Sequence, residues 1–262
     1  MQETSDLYKQ IYLSQDYYVE TSVAIGESGR LITEKAEVIL FGGTGILISS
    51  GGGDGGYDES MILSVRTTKR VFKDNVPEVG CCPCGEIDVE MIMPIGEIPQ
   101  KALVSPYVRL VSNETGEKSE WIRKGLFYID TRTNTHNDDD LDILTIHGYD
   151  AMIKADILYP STTLSFPARD IDVVRDIANK MGVGIEPRTL EIITQGYMIQ
   201  FPAQYTMREV LGFIGGMYAG NWVMNDVGDL QFIGINDLLE ETSLLIDEVG
   251  YYITFGGDRI AL

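Results

Sequence analysis

The fold is decided by one stretch, Thr206-Met207-Arg208-Glu209-Val210-Leu211-Gly212-Phe213-Ile214-Gly215-Gly216-Met217. Its first residues form a capping box, because the Thr206 hydroxyl can accept from the backbone N–H three residues on while Glu209 reaches back. Apolar residues then recur at helical spacing, namely Met207, Val210, Leu211, Ile214, Met217 and Tyr218. The stretch predicts an amphipathic helix that ends at Gly220.

Glycines off the apolar stripe distinguish this helix from an ordinary one. Gly212, Gly215 and Gly216 each cost the helix about 1 kcal/mol relative to alanine. We therefore expect another backbone to approach the helix closely at these positions.

The flanking sequence supplies further elements after residue 148. Asp150 is placed to cap a short helical turn over 151–155, and apolar spacing ending at Gly182 predicts a helix over 169–181. Beyond the quoted stretch, 221–224 and 230–233 flank a polar turn, which predicts a β-hairpin. This half is therefore helical and then returns to strands.

The chain up to about residue 147 has the signals of β-structure, with short apolar or alternating runs between turn clusters. The clearest strand is 87–93, where Ile87, Val89, Met91 and Met93 share one face. Strands at 126–130 and 141–147 are predicted to be joined by a long, exposed hairpin loop over 131–140. The glycine-rich run 51–56 is predicted to be a flexible loop. We expect this half to close into a barrel or sandwich.

Composition excludes several classes of protein. The chain has 262 residues, 44% of them hydrophobic, and a formal net charge of −20, which disfavours tight binding to nucleic acid or insertion at an anionic membrane. No run approaches the roughly 20 apolar residues of a membrane span, and the N-terminus lacks a signal-peptide pattern. We expect a soluble protein made in the cytoplasm, with reduced thiols.

Candidate catalytic and metal-binding residues are few. His136 and His147 are the two histidines, too few for a histidine-rich metal site. Asp138, Asp140 and Asp142 have the first spacings of a calcium loop, but Ile143 and Tyr149 stand where glycine and glutamate belong.

A cysteine cluster, Cys81, Cys82 and Cys84, could offer thiolates to zinc, but it lacks a fourth ligand nearby in the sequence. Small side chains at a tight turn before the strand at Ile87 explain the cluster more simply. We assign no catalytic, cofactor-binding or metal-binding residue and expect no cofactor.

The order of elements resembles phage tail and baseplate hub proteins, related to the late control protein D family and the spike proteins of type VI secretion. The resemblance lies in four blocks within 121–235: Trp121 with 125–130, then 144–152, 172–178 and 205–217. It implies an α+β, mainly β fold with two small β-barrel-like domains joined by a helical connector. The expected domains are 1–158 and 159–262, and the resemblance leaves open whether the second is complete at its C-terminus.

The resemblance also implies a function, which is structural and not enzymatic. Such hubs form a homotrimeric ring at the tail tip, in the virion tail after assembly in the host cytoplasm. The ring joins the tail tube or distal tail protein to a spike, fibre or lysin. An acidic channel wall would let DNA slide past.

Two alternatives stay open from the sequence. The acidic, tyrosine-rich β half also suits a secreted or cell-surface carbohydrate-active enzyme or binding module, which would show an aromatic pocket with converging carboxylates. The other alternative is a distal tail ring protein, for which hexamers in place of trimers are expected.

Overall fold

The computed structural model describes residues 4–26, 57–73, 77–92, 98, 102–136 and 142–235, together with the backbone of 254–255 and 258–259. The first half contains helix α1 (Asp6–Ser14) and the strands β1 (Tyr17–Gly26), β2 (Ile62–Thr68), β3 (Glu86–Ile92), β4 (Leu103–Ser112), β5 (Ile122–Arg123), β6 (Phe127–His136) and β7 (Asp142–Asp150). The second half contains a 3-10 turn (Ala151–Ala155), β8 (Ala168–Arg169), α2 (Asp170–Met181), α3 (Pro187–Ile192), β9 (Met198–Ile199), α4 (Met207–Met217), β10 (Gly220–Met224), β11 (Leu230–Gly234), β12 (Thr254–Phe255) and β13 (Asp258–Arg259).

Helix α1 corrects the prediction that the first 147 residues are all β-structure. Its cap is local, because the Ser5 side chain accepts from the Tyr8 backbone N–H at 3.0 Å. Asp6 in the first turn adds a favourable interaction with the helix dipole. Only Ile11 is buried along this helix, so the apolar stripe that would have marked it in the sequence is missing.

One antiparallel sheet contains β1 to β7. Its strand order is β1-β4-β6-β7-β3-β2, and β5 pairs with β4. Val23 of β1 makes an isolated bridge to Tyr57, ahead of β2, so the two outer strands of the sheet approach each other. Both also contact one apolar core, since Val23 lies in it and Val65 packs against it. The sheet is strongly curved, but no closed barrel forms within the residues that the structure describes.

Strand β3 confirms the alternating pattern found in the sequence. Ile87, Val89 and Met91 are fully buried, while Asp88 and Glu90 point the other way. Met93 lies outside the described residues, as do the glycine-rich run 51–56 and Asp138 and Asp140.

The prediction of a loop over 131–140 is wrong for residues 131–136, which belong to a strand. Strand β6 continues to His136, and its register with β7 runs to the pair His136 and Asp142. A bulge between Ile129 and Thr131 precedes this extension. The side chains beyond the bulge are almost all exposed, so their polarity reflects a solvated strand and not a loop.

The elements predicted after residue 148 are present, but α4 ends at Met217 and not at the predicted Gly220, which begins β10. Helix α2 spans Asp170–Met181 and ends at Gly182 in the left-handed conformation, and α4 has the predicted capping box at Thr206 and Glu209. The Asp150 side chain caps the 3-10 turn by accepting from Met152 N at 2.9 Å. The hairpin is β10 and β11. We call the segment from Asp150 to Gly234 the connector.

The connector has its own apolar core, which includes Val174, Ile177, Leu211, Ile214 and Trp222. The fold is thus α+β and mainly β, as predicted. The boundary between domains 1–158 and 159–262 stays a prediction. None of the described helices has the length and apolar character needed to cross a membrane.

Candidate interaction surface

An apolar groove of about 1290 Å³ runs along the outer face of α4. The segment 78–86 and the chain from β9 to Tyr205 form its other walls. Six large apolar side chains line it and are each more than two-fifths exposed: Val79, Met198, Phe201, Tyr205, Phe213 and Met217. We call these six residues the α4 groove. Clustered exposed apolar side chains of this kind mark interaction sites.

The groove exists because α4 carries apolar residues on two faces. Val210, Leu211 and Ile214 face the connector core, whereas Phe213 and Met217 are one helical turn apart on the exposed side. The Phe213 ring meets the Tyr205 ring edge to face, with 5.0 Å between centroids. Met217 is one of the apolar residues at helical spacing found in the sequence, but 41% of it is exposed, so it lines the groove and not the core.

Close backbone packing fixes α4 in place. A Cβ atom at Gly212 would lie 2.6 Å from the Gly80 carbonyl oxygen, and one at Gly215 would lie 3.0 Å from the Gly220 carbonyl oxygen. The predicted close approach is confirmed at these two glycines. It is wrong for Gly216, where a Cβ would have no neighbour within 4 Å.

Arg208 ties the floor of the groove to the rest of the connector. Its guanidinium donates to the Cys82 carbonyl at 2.7 Å and to the Met152 carbonyl at 3.1 Å. It also pairs with Asp156, with 2.8 Å from Nη2 to Oδ2. One side chain of α4 thus holds two segments that are distant in sequence, the one at Cys82 and the one from Met152 to Asp156.

The cysteine segment lies beside β10, and no turn or bend is found within residues 81–84, so the tight turn predicted for it is wrong. Cys81 N donates to Asn221 Oδ1 at 2.8 Å, and Trp222 N donates to the Cys81 carbonyl at 2.9 Å. Pairing with a strand outside the sequence neighbourhood decides this geometry, and the short local pattern could not reveal it.

The thiols themselves are in surroundings that favour the neutral form. Burial raises the pKa of Cys82 to about 12. Burial, followed by the charge of Asp150, raises the pKa of Cys84 as well, and the Cys84 Sγ donates to Asp150 Oδ1 at 3.2 Å. Metal binding needs thiolates. Across the described part of the chain, no group of three or more potential metal ligands comes together.

The two histidines lie near opposite ends of β7 and are not brought together. His136 Nδ1 is 2.9 Å from Asp142 Oδ1, and His147 Nδ1 is 2.7 Å from Asp88 Oδ1. Each pair joins residues directly opposite on neighbouring strands. Cross-strand pairs of this kind stabilise a sheet, and neither pair forms part of the α4 groove.

A smaller cavity of about 470 Å³ lies between β10, β11 and the residues after β2. Lys69, Arg70, Glu186 and Asp226 contribute mixed charges to its walls, and Lys69 forms an ion pair with Asp226. Its charges largely compensate each other, so the larger α4 groove is the stronger candidate.

No protein-family model matches the chain, and no curated protein is similar to it in sequence. The structure of this chain is similar to that of the prophage MuSo2 43 kDa tail protein from Shewanella oneidensis, with a TM-score of 0.50, 15% identity and coverage of 83% of this chain and 56% of that one. This chain has the fold of a phage tail protein.

Two further solved structures are similar at lower scores. A tail protein from Neisseria meningitidis MC58 has a TM-score of 0.47 at 11% identity, covering 91% of this chain and 59% of that one. A Francisella PdpA-VgrG complex has a TM-score of 0.42 at 8% identity, covering 89% of this chain and 35% of that one. The chain spans little more than half the length of the two tail proteins. The resemblance found in the sequence is confirmed for the fold.

Proposed function

We propose that this chain is a structural component of a phage tail tip, or of a phage-derived injection machine. It forms the hub ring, as a homotrimer, that joins the tail tube or distal tail protein to a spike, fibre or lysin. The observation that carries the proposal is the fold shared with a prophage tail protein over 83% of this chain. In this role the chain works through its surfaces and is not an enzyme.

The α4 groove supports this reading, because a ring component needs apolar surface that stays exposed until a neighbour covers it. The net charge of −20 also supports it, since an acidic channel wall would not retain DNA during passage. The protein is located in the virion tail, after assembly in the host cytoplasm.

Mass measurement by light scattering coupled to gel filtration tests the proposal. A trimer near three times 29.1 kDa is expected, whereas a hexamer favours the distal tail ring protein. Labelling of assembled particles with an antibody against the chain gives an independent readout, and signal away from the tail tip would contradict the proposal.

A further inference from the structure

The segment 78–83 links the sheet to the connector, and we call it the strap. It directly precedes the residues that lead into β3, yet its backbone hydrogen bonds go to the connector. Gly80 N donates to the Gly220 carbonyl at 2.9 Å, and Trp222 N donates to the Cys81 carbonyl at 2.9 Å. The strap therefore covers the edge of β10 that faces away from β11.

Two side chains of the connector hold the strap in addition to these backbone bonds. Asn221 is 1% exposed. Its Nδ2 donates to the Glu78 carbonyl at 2.8 Å, and its Oδ1 accepts from Cys81 N at 2.8 Å. The Arg208 guanidinium donates to the Cys82 carbonyl at 2.7 Å. Because an amide both donates and accepts, the single Asn221 side chain satisfies two backbone groups of the strap.

The strap buries little apolar surface. Glu78 and Val79 are exposed, and Gly80 has no side chain to bury. Cys82 is the one residue of the strap that is buried. Segments with few buried apolar contacts open locally at a lower free-energy cost than the core does. Release of the strap should therefore cost less than unfolding of the chain.

Open space lies on both sides of the strap. Arg70 and Pro83 line the α4 groove and also the smaller cavity beside β10 and β11. The strap is thus part of the wall between the two cavities, and its release would join them.

The strap leads into a firm anchor at the start of β3. Gly85 N donates to Asp150 Oδ2 at 2.7 Å, and Asp150 N donates to the Gly85 carbonyl at 2.9 Å. Both residues are buried, and a Cβ atom at Gly85 would lie 2.6 Å from Asp150 Oδ2. This end of the segment is therefore fixed to the sheet, independently of the bonds that the strap makes to the connector.

We propose that the strap is a gate between the two cavities. It detaches from α4 and β10 as one unit, turning about the anchor at Gly85, while the sheet and the connector stay folded. Opening joins the two cavities and uncovers the edge of β10 at Gly220 and Trp222, which the strap protects when closed. The gate goes beyond the proposed function and does not depend on it.

The buried thiol of the strap provides a direct test. A chain with Cys81→Ser and Cys84→Ser keeps Cys82 as its single thiol, and a serine hydroxyl at 84 can still donate to Asp150. Under native conditions dithionitrobenzoate should label Cys82 at least about tenfold faster than global unfolding allows. The labelling rate should also depend only weakly on urea, because a local opening exposes little surface.

Two results of this labelling would overturn the gate. One is a rate that follows global unfolding, with the full urea dependence of that transition. The other is labelling as fast as that of a fully exposed thiol, since the strap would then not be closed.

A matched pair of variants tests the attachment of the strap in the same single-thiol chain. Asn221→Ala removes both side-chain bonds to the strap and should speed labelling of Cys82 by about tenfold or more. Thr189→Ala is the control, because Thr189 is fully buried and holds the other strand of the hairpin by accepting from Phe232 N at 2.9 Å. It should leave the labelling rate unchanged. Equal acceleration in both variants would overturn the gate, because the opening unit would then be the whole hairpin.

Hydrogen exchange on the unmodified chain tests the opening unit without any substitution. The N–H groups of Gly80, Cys81 and Trp222 should exchange through one shared opening, because the same movement breaks all three bonds. The Gly85 N–H should exchange more slowly, since it belongs to the anchor. Unrelated exchange rates for the three groups, or exchange of Gly85 together with them, would contradict the gate.

Discussion

The sheet and the connector bury different kinds of polar group. Among the described residues of the sheet half, the buried polar side chains are Ser22, Ser105, Ser112 and Ser119. In the connector, they are Asp150, Asp170, Thr189 and Asn221. Backbone ladders already satisfy the polar groups of the sheet, whereas the short elements of the connector leave loop N–H groups that need side-chain acceptors.

Asp170 shows what this difference means for stability. Its carboxylate is fully buried and accepts from Ile171 N at 2.7 Å, Tyr197 N at 3.1 Å and the Tyr218 hydroxyl at 2.6 Å. The start of α2, the segment before β9 and the end of α4 therefore meet at one group. The connector depends on a few such groups, whereas the sheet spreads its stability over many backbone bonds.

The largest expected effect is that of Asp170→Ala. The change leaves several donors without an acceptor, so it should lower the free energy of unfolding by about 3 to 5 kcal/mol. Denaturant titration measures the loss. Asp172→Ala is the matched control in the same first turn, because its partners Arg169 and Arg175 are exposed ion pairs, and it should cost less than about 1 kcal/mol. Equal losses in both variants would contradict the distinction drawn between the two regions.

A smaller effect is expected where the connector meets the segment at Gly80. Gly212→Ala would place a methyl group 2.6 Å from the Gly80 carbonyl oxygen, and the resulting displacement should lower stability by about 1 to 3 kcal/mol. Gly216→Ala, on the same helix, meets nothing within 4 Å and should stabilise by about 0.5 to 1 kcal/mol. Thermal melts of both variants give the signs, and stabilisation by both would refute the close crossing.

The smallest effect concerns pH and has opposite signs in the two regions. Burial raises the pKa of Asp150 in the connector, despite hydrogen bonds from Cys84, Gly85 and Met152. A carboxyl with a raised folded-state pKa binds more protons in the folded state, so its contribution to stability falls as pH rises from about its unfolded value to its folded one.

Glu20 in β1 is the counterpart in the sheet. Burial alone would raise its pKa, but hydrogen bonds and charge from Lys118 and Arg109 outweigh burial and lower it. Its contribution to stability is present above the unfolded pKa and is lost as pH falls through the folded pKa.

Stability curves between about pH 2 and 7 should therefore separate the two residues. Relative to Asp150→Asn, the wild-type protein should lose stability as pH rises, and relative to Glu20→Gln it should lose stability as pH falls. Difference curves that slope the same way for both variants would show that the assigned causes are wrong.

The connector was predicted well because its signals are local. Thr206 and Glu209 cap α4 within one turn, and Gly182 ends α2 in a conformation that glycine adopts easily. The misses have a different cause. The extension of β6 to His136 and the path of the cysteine segment both depend on hydrogen bonds to a strand elsewhere in the chain.

The candidate surface could not be predicted from the sequence either. Phe213 and Met217 were visible as apolar residues of α4, but their exposure depends on which side of the helix faces Leu230 and Trp222 of the core.

The sequence by itself determined α2, α4 with its capping box, the 3-10 turn, the hairpin and the mainly β class, since capping, periodicity and turn chemistry act over a few residues. Tertiary structure alone decided the curvature of the sheet, the burial of Asp170 and the opening of the α4 groove. These features arise from contacts between segments far apart in the chain, whose geometry depends on how the whole core packs.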